Sequence, residues 1–531
     1  MPVLAIESAD DPLIIEACET FSGGQNSFTR AALLGADQAS LLENVVTLIS
    51  GEVRKRRGTR NIFSGYVAGS GITIQNLLWF DTVSNDRLVA FAGGKAYYFT
   101  GSGWALYFDA QVDDPNEKID LVQLTDLIYW TDSTAGGLRQ YDGAVFTLPG
   151  TPEATILESH TGRLVASGVA AIPDIIYFSD FLDGETWDMV NDAIRIGGGK
   201  GDPIVGVESW QDSILVVLCR QSVHLIEADP LTTVANMVVK KIDNSVGCVA
   251  RRTACQVGQD MWFLSRNGVM SVQKQLATSN NMIPIPSSQP VQNVIERIRW
   301  EHAHKSCAIC YNNFYLLSVP VDSDEPDTII VYHYLTGGFT VFKGWDAQSF
   351  IEQPFEGTTR VVMGCSTGDV REWLDYLRES QIEPDLDYKD GLASLTLPLT
   401  LPAILPLGYD TVSTVVTRAM TFGDPLSTKA GWYLELEFAQ SSGTLDVYVI
   451  LDGDQKPRLR AYQFDVSGAI FPVTFPFTFP VRATWLKRRI PLHQLQNFYE
   501  IQFKIVSTSG EMKLRRVAVS AMMNAYDMKE N

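Results

Sequence analysis

The chain has 531 residues, of which 45% are hydrophobic, 10% aromatic and 20% charged. That is too much apolar material for a disordered protein and too much chain for one ordinary core, so two to four domains or one large repeat architecture are expected. A formal net charge of −20 excludes non-specific wrapping of nucleic acid, which needs an excess of Lys and Arg, and leaves DNA only as a repelled passenger.

The opening residues lack the basic and apolar regions of a secretory leader, and residues 1–80 read as an extended and partly helical docking region. Apolar residues at three- and four-residue spacing predict short helices over 38–48, 291–300 and 370–378. From 81 to 394 a unit recurs: a polar turn, a short apolar strand, a Gly-containing turn and a second strand. Residues 86–99 set the pattern, which returns over 125–146, 161–187, 211–227, 259–272, 312–342 and 358–373. Successive units begin roughly 37 to 52 residues apart, which brackets the length of a four-stranded propeller blade. The competing reading is a string of unrelated hairpins in one large sandwich. The chain is therefore expected to be all-β, with a β-propeller of six or seven irregular blades.

A Pro-interrupted apolar stretch over 395–407 marks a boundary near Ser394. Beyond it, seven strand candidates (411–420, 431–438, 444–451, 458–464, 485–491, 499–507 and 512–520) predict an antiparallel β-sandwich over 395–531. Within that region Pro472, Pro476 and Pro480 punctuate Phe471, Phe475, Phe477 and Phe479. Prolines at this spacing forbid helix and central strand, so a stiff extended arm is expected, its rings buried on the sandwich edge of its own subunit or, as the favoured reading, against a neighbouring subunit. Neither Pro-broken stretch reads as a membrane-spanning helix.

Residues that carry chemistry are few. Seven scattered cysteines read as reduced thiols rather than a disulfide framework. His302, His304, Cys307 and Cys310 crowd together, but strand alternation turns the two cysteines to opposite faces, so packing rather than metal binding is expected. Residues 178–187 resemble the Asp-box turn of sialidase-like propellers, yet Leu182 stands where the box wants its Asp, and no second copy occurs. Residues 197–203 are Gly-rich without the following Ser/Thr or helix of a phosphate loop, and read as an inter-blade connection. No catalytic residue, metal or cofactor is expected. Two basic runs stand out against the acidic background: Arg54, Lys55, Arg56 and Arg57, followed by Arg60, and Lys487, Arg488 and Arg489. The first is expected to dock an acidic partner or neighbouring subunit.

Three groups of residues carry a family resemblance. Phe21-Ser22-Gly23-Gly24-Gln25-Asn26-Ser27, the segment Leu33 to Val45 and Gly51-Glu52-Val53-Arg54-Lys55-Arg56-Arg57-Gly58 resemble the opening of tail proteins from short-tailed bacteriophages. Tyr311-Asn312-Asn313-Phe314-Tyr315-Leu316, Ile329-Ile330-Val331-Tyr332 and Gly337-Gly338-Phe339-Thr340-Val341-Phe342 look like their propeller repeats, and Thr417 to Pro425 is similar to their accompanying sandwich. The family is the tail nozzle or tail hub, which includes tail tubular protein B and the packaged-DNA stabilisation proteins. The resemblance implies a structural virion protein, assembled in the host cytoplasm into a hexameric tube. That tube lies below the portal and adaptor, next to fibres, tailspikes or a needle, and double-stranded DNA is retained in it and ejected through it. An acidic wall suits that role, because it repels phosphates and favours sliding. The alternative is a carbohydrate-binding or carbohydrate-cleaving propeller acting on a cell envelope.

Overall fold

In the computed structural model, each of the seven predicted hairpins supplies the second and third strands of its own antiparallel sheet. The structure describes residues 5–6 and 13–523 except 64, 83–85, 113–117, 132–136, 198–200, 212, 229–231, 244–245, 279–285, 356, 374–385, 388–408, 441–443, 455–458, 466–484 and 509–511. The turns explain why the hairpins form. Gly93 and Gly94 both take positive φ between Arg87–Ala92 and Lys95–Phe99, the backbone a two-residue hairpin turn demands.

The first strands of the sheets stand side by side around an axis, in the order Ile74–Phe80, Leu121–Leu124, Ile156–His160, Ile204–Trp210, Cys255–Val257, Cys307–Tyr311 and Ser349–Phe355, the last packing against the first. This is a β-propeller with six four-stranded blades and one three-stranded one. Among the described residues the fifth blade has three strands (Cys255–Val257, Asp260–Ser265, Gly268–Ser271) and is followed by the short helix Val272–Thr278. A separate apolar cluster fills the space between each neighbouring pair of blades. Phe91, Phe108 and Trp130 lie between the first and second, and Leu264, Tyr315 and Leu317 between the fifth and sixth. The ring is closed by the N-terminal strand Thr59–Asn61, which pairs with Val370–Trp373 as the outer strand of the seventh blade.

All seven strand candidates of the C-terminal region are strands, and they build a two-sheet sandwich. One sheet contains Leu13–Cys18, Met512–Met523, Lys429–Gln440 and Trp485–Pro491; the other runs through Gln38–Glu43, Ser413–Thr417, Ile501–Ser507, Thr444–Leu451 and Leu459–Asp465. Their inner faces share one core that includes Phe21, Leu42, Leu436, Val447 and Phe503.

Three expectations need correction. The segment 38–48 is not a helix: it forms the strands Gln38–Glu43 and Val45–Thr47, because both find partner strands in the sandwich. The described part of 370–378 is strand as well. Residues 13–61 are not a separate docking region, since they supply strands to the sandwich and the closing strand of the propeller. Over 291–300 the chain does turn helical, as a 3-10 turn (Gln289–Val291) followed by Gln292–Ile295. The stretch 395–407, the boundary at Ser394 and the arm 471–481 lie outside the described residues.

Candidate functional site

Two places concentrate charge inside the molecule, the propeller axis and the joint between propeller and sandwich. At the axis, polar residues interrupt the apolar pattern of the innermost strands. Glu158 and Glu208 occupy matching positions in the third and fourth blades, each followed by serine, and Asp120 precedes the first strand of the second blade. Opposite them, the 3-10 turn Arg251–Thr253 feeds two guanidiniums into the centre.

Arg251 is ion-paired with Asp120, and its Nη2 lies 3.4 Å from Glu158 Oε2 and its Nε 3.9 Å from Glu208 Oε1. Arg252 donates to the carbonyls of Gln75 (2.8 Å) and Ile119 and lies 3.7 Å from Asp120. Together these groups line an axial cavity of about 160 Å³. Three carboxylates share two guanidiniums, so the fully ionised cluster carries an uncompensated negative charge in a poorly hydrated place. Burial pushes Glu158 up to about 8, and burial together with the Glu158 charge also raises Glu208. Burial lowers Arg251 and Arg252, to about 9 and about 10.

At the axial mouth Lys118 donates to the carbonyls of Lys305 and Gln348 (2.7 Å), and burial lowers it to about 7. With its arginines held by carboxylates and carbonyls, the axis is plugged by side chains at this level. Sequence reasoning missed it, although the repeated Glu158-Ser159 and Glu208-Ser209 pairs, fifty residues apart, were a usable signal.

The joint is built from the motifs that carry the family resemblance. The strand Gln38–Glu43 pairs in parallel with Gly338–Lys343, the outer strand of the sixth blade, so one sheet runs from the propeller into the sandwich. Gly24 has φ +69°, and a Cβ placed there would sit 2.5 Å from the backbone nitrogen of Phe339 and 2.6 Å from Gly338 Cα. Only glycine permits both that backbone and that approach. Asn44, in the left-handed region at φ 56°, ties three elements together. Its Oδ1 accepts from Arg56 Nε and from the Lys343 backbone nitrogen, both at 2.9 Å, while its Nδ2 donates to the Val412 carbonyl at 2.9 Å.

The basic run is mostly inside this joint. Arg56 is 0% exposed, donates to the carbonyls of Arg57 (3.2 Å) and Lys343 (3.0 Å), and packs its guanidinium against Phe342 and Trp345 at 5.4 and 5.2 Å from their ring centroids. Lys55 is buried too, Arg57 is half-buried, and Arg54 is half-buried beside Glu52 at 3.8 Å. The expected docking surface is therefore corrected for Lys55 and Arg56: both side chains are buried within the chain, and Arg56 holds its two modules together. Arg60 joins Arg360 on the two oxygens of Glu372, each at 2.6 Å, locking the closing strand of the propeller. Lys487, Arg488 and Arg489 project from an exposed sandwich strand, with Lys487 and Arg489 opposite Glu437 and Glu435. Phe471, Phe475, Phe477 and Phe479 lie outside the described residues.

The remaining sequence candidates fall apart as sites. Cys307 is buried at the axis and burial pushes it up to about 11, His302 faces Asp324, and His304 meets the Glu301 carbonyl. Among the described residues no three His, Cys, Asp or Glu side chains converge in a way that would hold a metal ion. In the Asp-box-like turn, Asp183 accepts from the backbone of Glu185 and Thr186, and Trp187 donates to the Gly184 carbonyl, which accounts for the turn locally.

No family profile matches the sequence, and no curated protein matches it. Solved structures do. The WD40 β-propeller domain of Doa1 is 10% identical and aligns over 61% of this chain and 100% of its own, with a TM-score of 0.39. Virginiamycin B lyase from Staphylococcus aureus is 9% identical over 58% of this chain and 96% of its own, with a TM-score of 0.39. The extracellular domain of a hybrid two-component system from B. thetaiotaomicron is 11% identical, with a TM-score of 0.41, and the match spans only 39% of that longer chain. At these scores the propeller assignment stands on the order of the sheets themselves.

Proposed function

We propose that this chain is a structural virion protein of the tail-nozzle type. In this reading it acts without catalysis, assembling into a ring, as a hexamer by family resemblance, that continues the portal and adaptor channel of a short-tailed phage. The observation that carries the reading is the joint. Residues scattered over four resemblance segments, Gly24, Asn44, Arg56 and Gly338, meet there and weld propeller to sandwich through one continuous sheet. A subunit that transmits load within a tube needs such a weld. The plugged axis supports the same reading from another side: a conduit made of these subunits runs between propellers, not through one. Its wall would be acidic, as the net charge favours, and DNA would slide past it unread.

Mass photometry and cryo-electron microscopy of the purified chain test this. The expected result is a closed ring of roughly 350 kDa for six copies of 58.8 kDa. A protein that stays monomeric, alone and with its adaptor partner, would refute it.

A further inference from the structure

In so acidic a chain almost every arginine is engaged. Among the described residues, the guanidiniums without a carboxylate, carbonyl or aromatic partner are those of Arg220, Arg266 and Arg488. Two of the three border the same groove, of about 570 Å³, on the face of the propeller where the second and third strands of each blade turn over. Arg220 and Gln221 lie on the turn of the fourth blade between Ile214–Cys219 and Val223–Glu227. Arg266 and Asn267 lie on the matching turn of the fifth blade, between Asp260–Ser265 and Gly268–Ser271, with Ser265 at its base. Trp300, half-buried in the connection from the fifth to the sixth blade, forms another wall.

We propose that this groove binds an acidic sugar unit, a hexuronate or a similar carboxylated pyranose within a polysaccharide. Each lining group matches a part of that ligand. A guanidinium takes a carboxylate through two parallel N–H bonds, and two of them stand on adjacent turns of this groove. The indole offers an apolar wall for a pyranose ring. Gln221, Ser265 and Asn267 supply donors and acceptors for ring hydroxyls. The volume lies in the range of small-ligand sites. The indole wall and the amide and hydroxyl groups favour a sugar over an acidic peptide, and the titration below separates the two. The site is independent of the ring proposed above: a monomer can bind the sugar, and a ring can form without it.

The test is calorimetric titration of the full chain with tri-galacturonate, its methyl ester, maltotriose and a hexaglutamate peptide. Saturable binding of tri-galacturonate is expected, weakened about tenfold in the methyl ester and again in R220Q or R266Q, with partial recovery in R220K because a lysine keeps the charge but loses the fork. Both arginines are exposed, so unchanged melting curves will verify that the variants fold. Absence of saturable binding at millimolar tri-galacturonate, equal binding of the methyl ester or maltotriose, tighter binding of hexaglutamate, or undiminished binding by R220Q/R266Q would each overturn the proposal.

Discussion

Replacing Arg56 by alanine is the sharpest probe of the joint. The side chain is fully buried, donates to Asn44 Oδ1 and to two backbone carbonyls, and lies against two aromatic rings. Hydrogen bonds from a charged donor are worth roughly 1.5 to 3 kcal/mol each, and a desolvated cation over a ring about 2 kcal/mol. These terms overlap, and part is offset because alanine no longer has to bury a charge. A net destabilisation of about 3 to 5 kcal/mol follows, with R56K recovering less than half because a lysine cannot span the same acceptors. A chain of this size does not unfold as a two-state system, so the readout is local. Hydrogen exchange should accelerate in 44–47 and 338–343, where the strands meet, and not in the distant second and third blades. Urea unfolding followed by separate probes in the two modules should split into two transitions. A single transition within about 1 kcal/mol of the parent, with unchanged exchange at the joint, would refute the assignment.

Other outcomes follow from the same geometry. Gly24→Ala should cost roughly 2 to 4 kcal/mol, from the left-handed backbone plus the clash with Phe339; a variant as stable as the parent in thermal melts would contradict the close approach. Glu372→Gln removes the shared anion of Arg60 and Arg360 and should loosen propeller closure by about 3 to 5 kcal/mol, seen as faster proteolysis near residues 59–61. Burial pushes Glu158 up from its ordinary value of 4.5 to about 8, so the folded state holds the extra proton between those values. Its contribution to stability is full below the lower value and is lost as pH rises through the upper one. Glu158→Gln should therefore flatten the fall in melting temperature between pH 5 and 8.5, and parallel curves for parent and variant would rule this out.

Much of the fold was legible because a propeller repeats a local code. Each blade carries its own hairpin, with turn glycines and alternating apolar residues, and these need no knowledge of the rest of the chain. What stayed hidden depends on distant pairing. Over 38–43 the buried positions are Ala39 and Leu42, three apart, which mimics a helix face. The cause is a bulge: Leu41 pairs with Val416 but Ala39 with Thr417, so Ser40 is an extra residue that shifts the alternation and lets Ala39 and Leu42 both face inward. That irregularity belongs to a partner strand about 375 residues away, beyond the reach of periodicity. The axial cluster was hidden for a similar reason. Its carboxylates lie far apart in sequence, Asp120 just before one strand and Glu158 and Glu208 within two others, and only ring closure brings them to the two arginines. The run at 54–57 misled in the opposite sense, since its charge density suggested a surface while carbonyl acceptors and aromatic rings were waiting to bury it.

The closing strand and the N-terminal sandwich strands set the order in which this protein can mature on the ribosome. Arg60 meets Glu372 across 312 residues of chain, and Glu19 meets Arg516 across 497. At about 5 to 20 residues per second, the partners of the first segment emerge roughly 25 to 100 s after it. For that interval the strand Leu13–Cys18 lacks its partner Met512–Met523, so the sandwich can close only after the blades between them have been made.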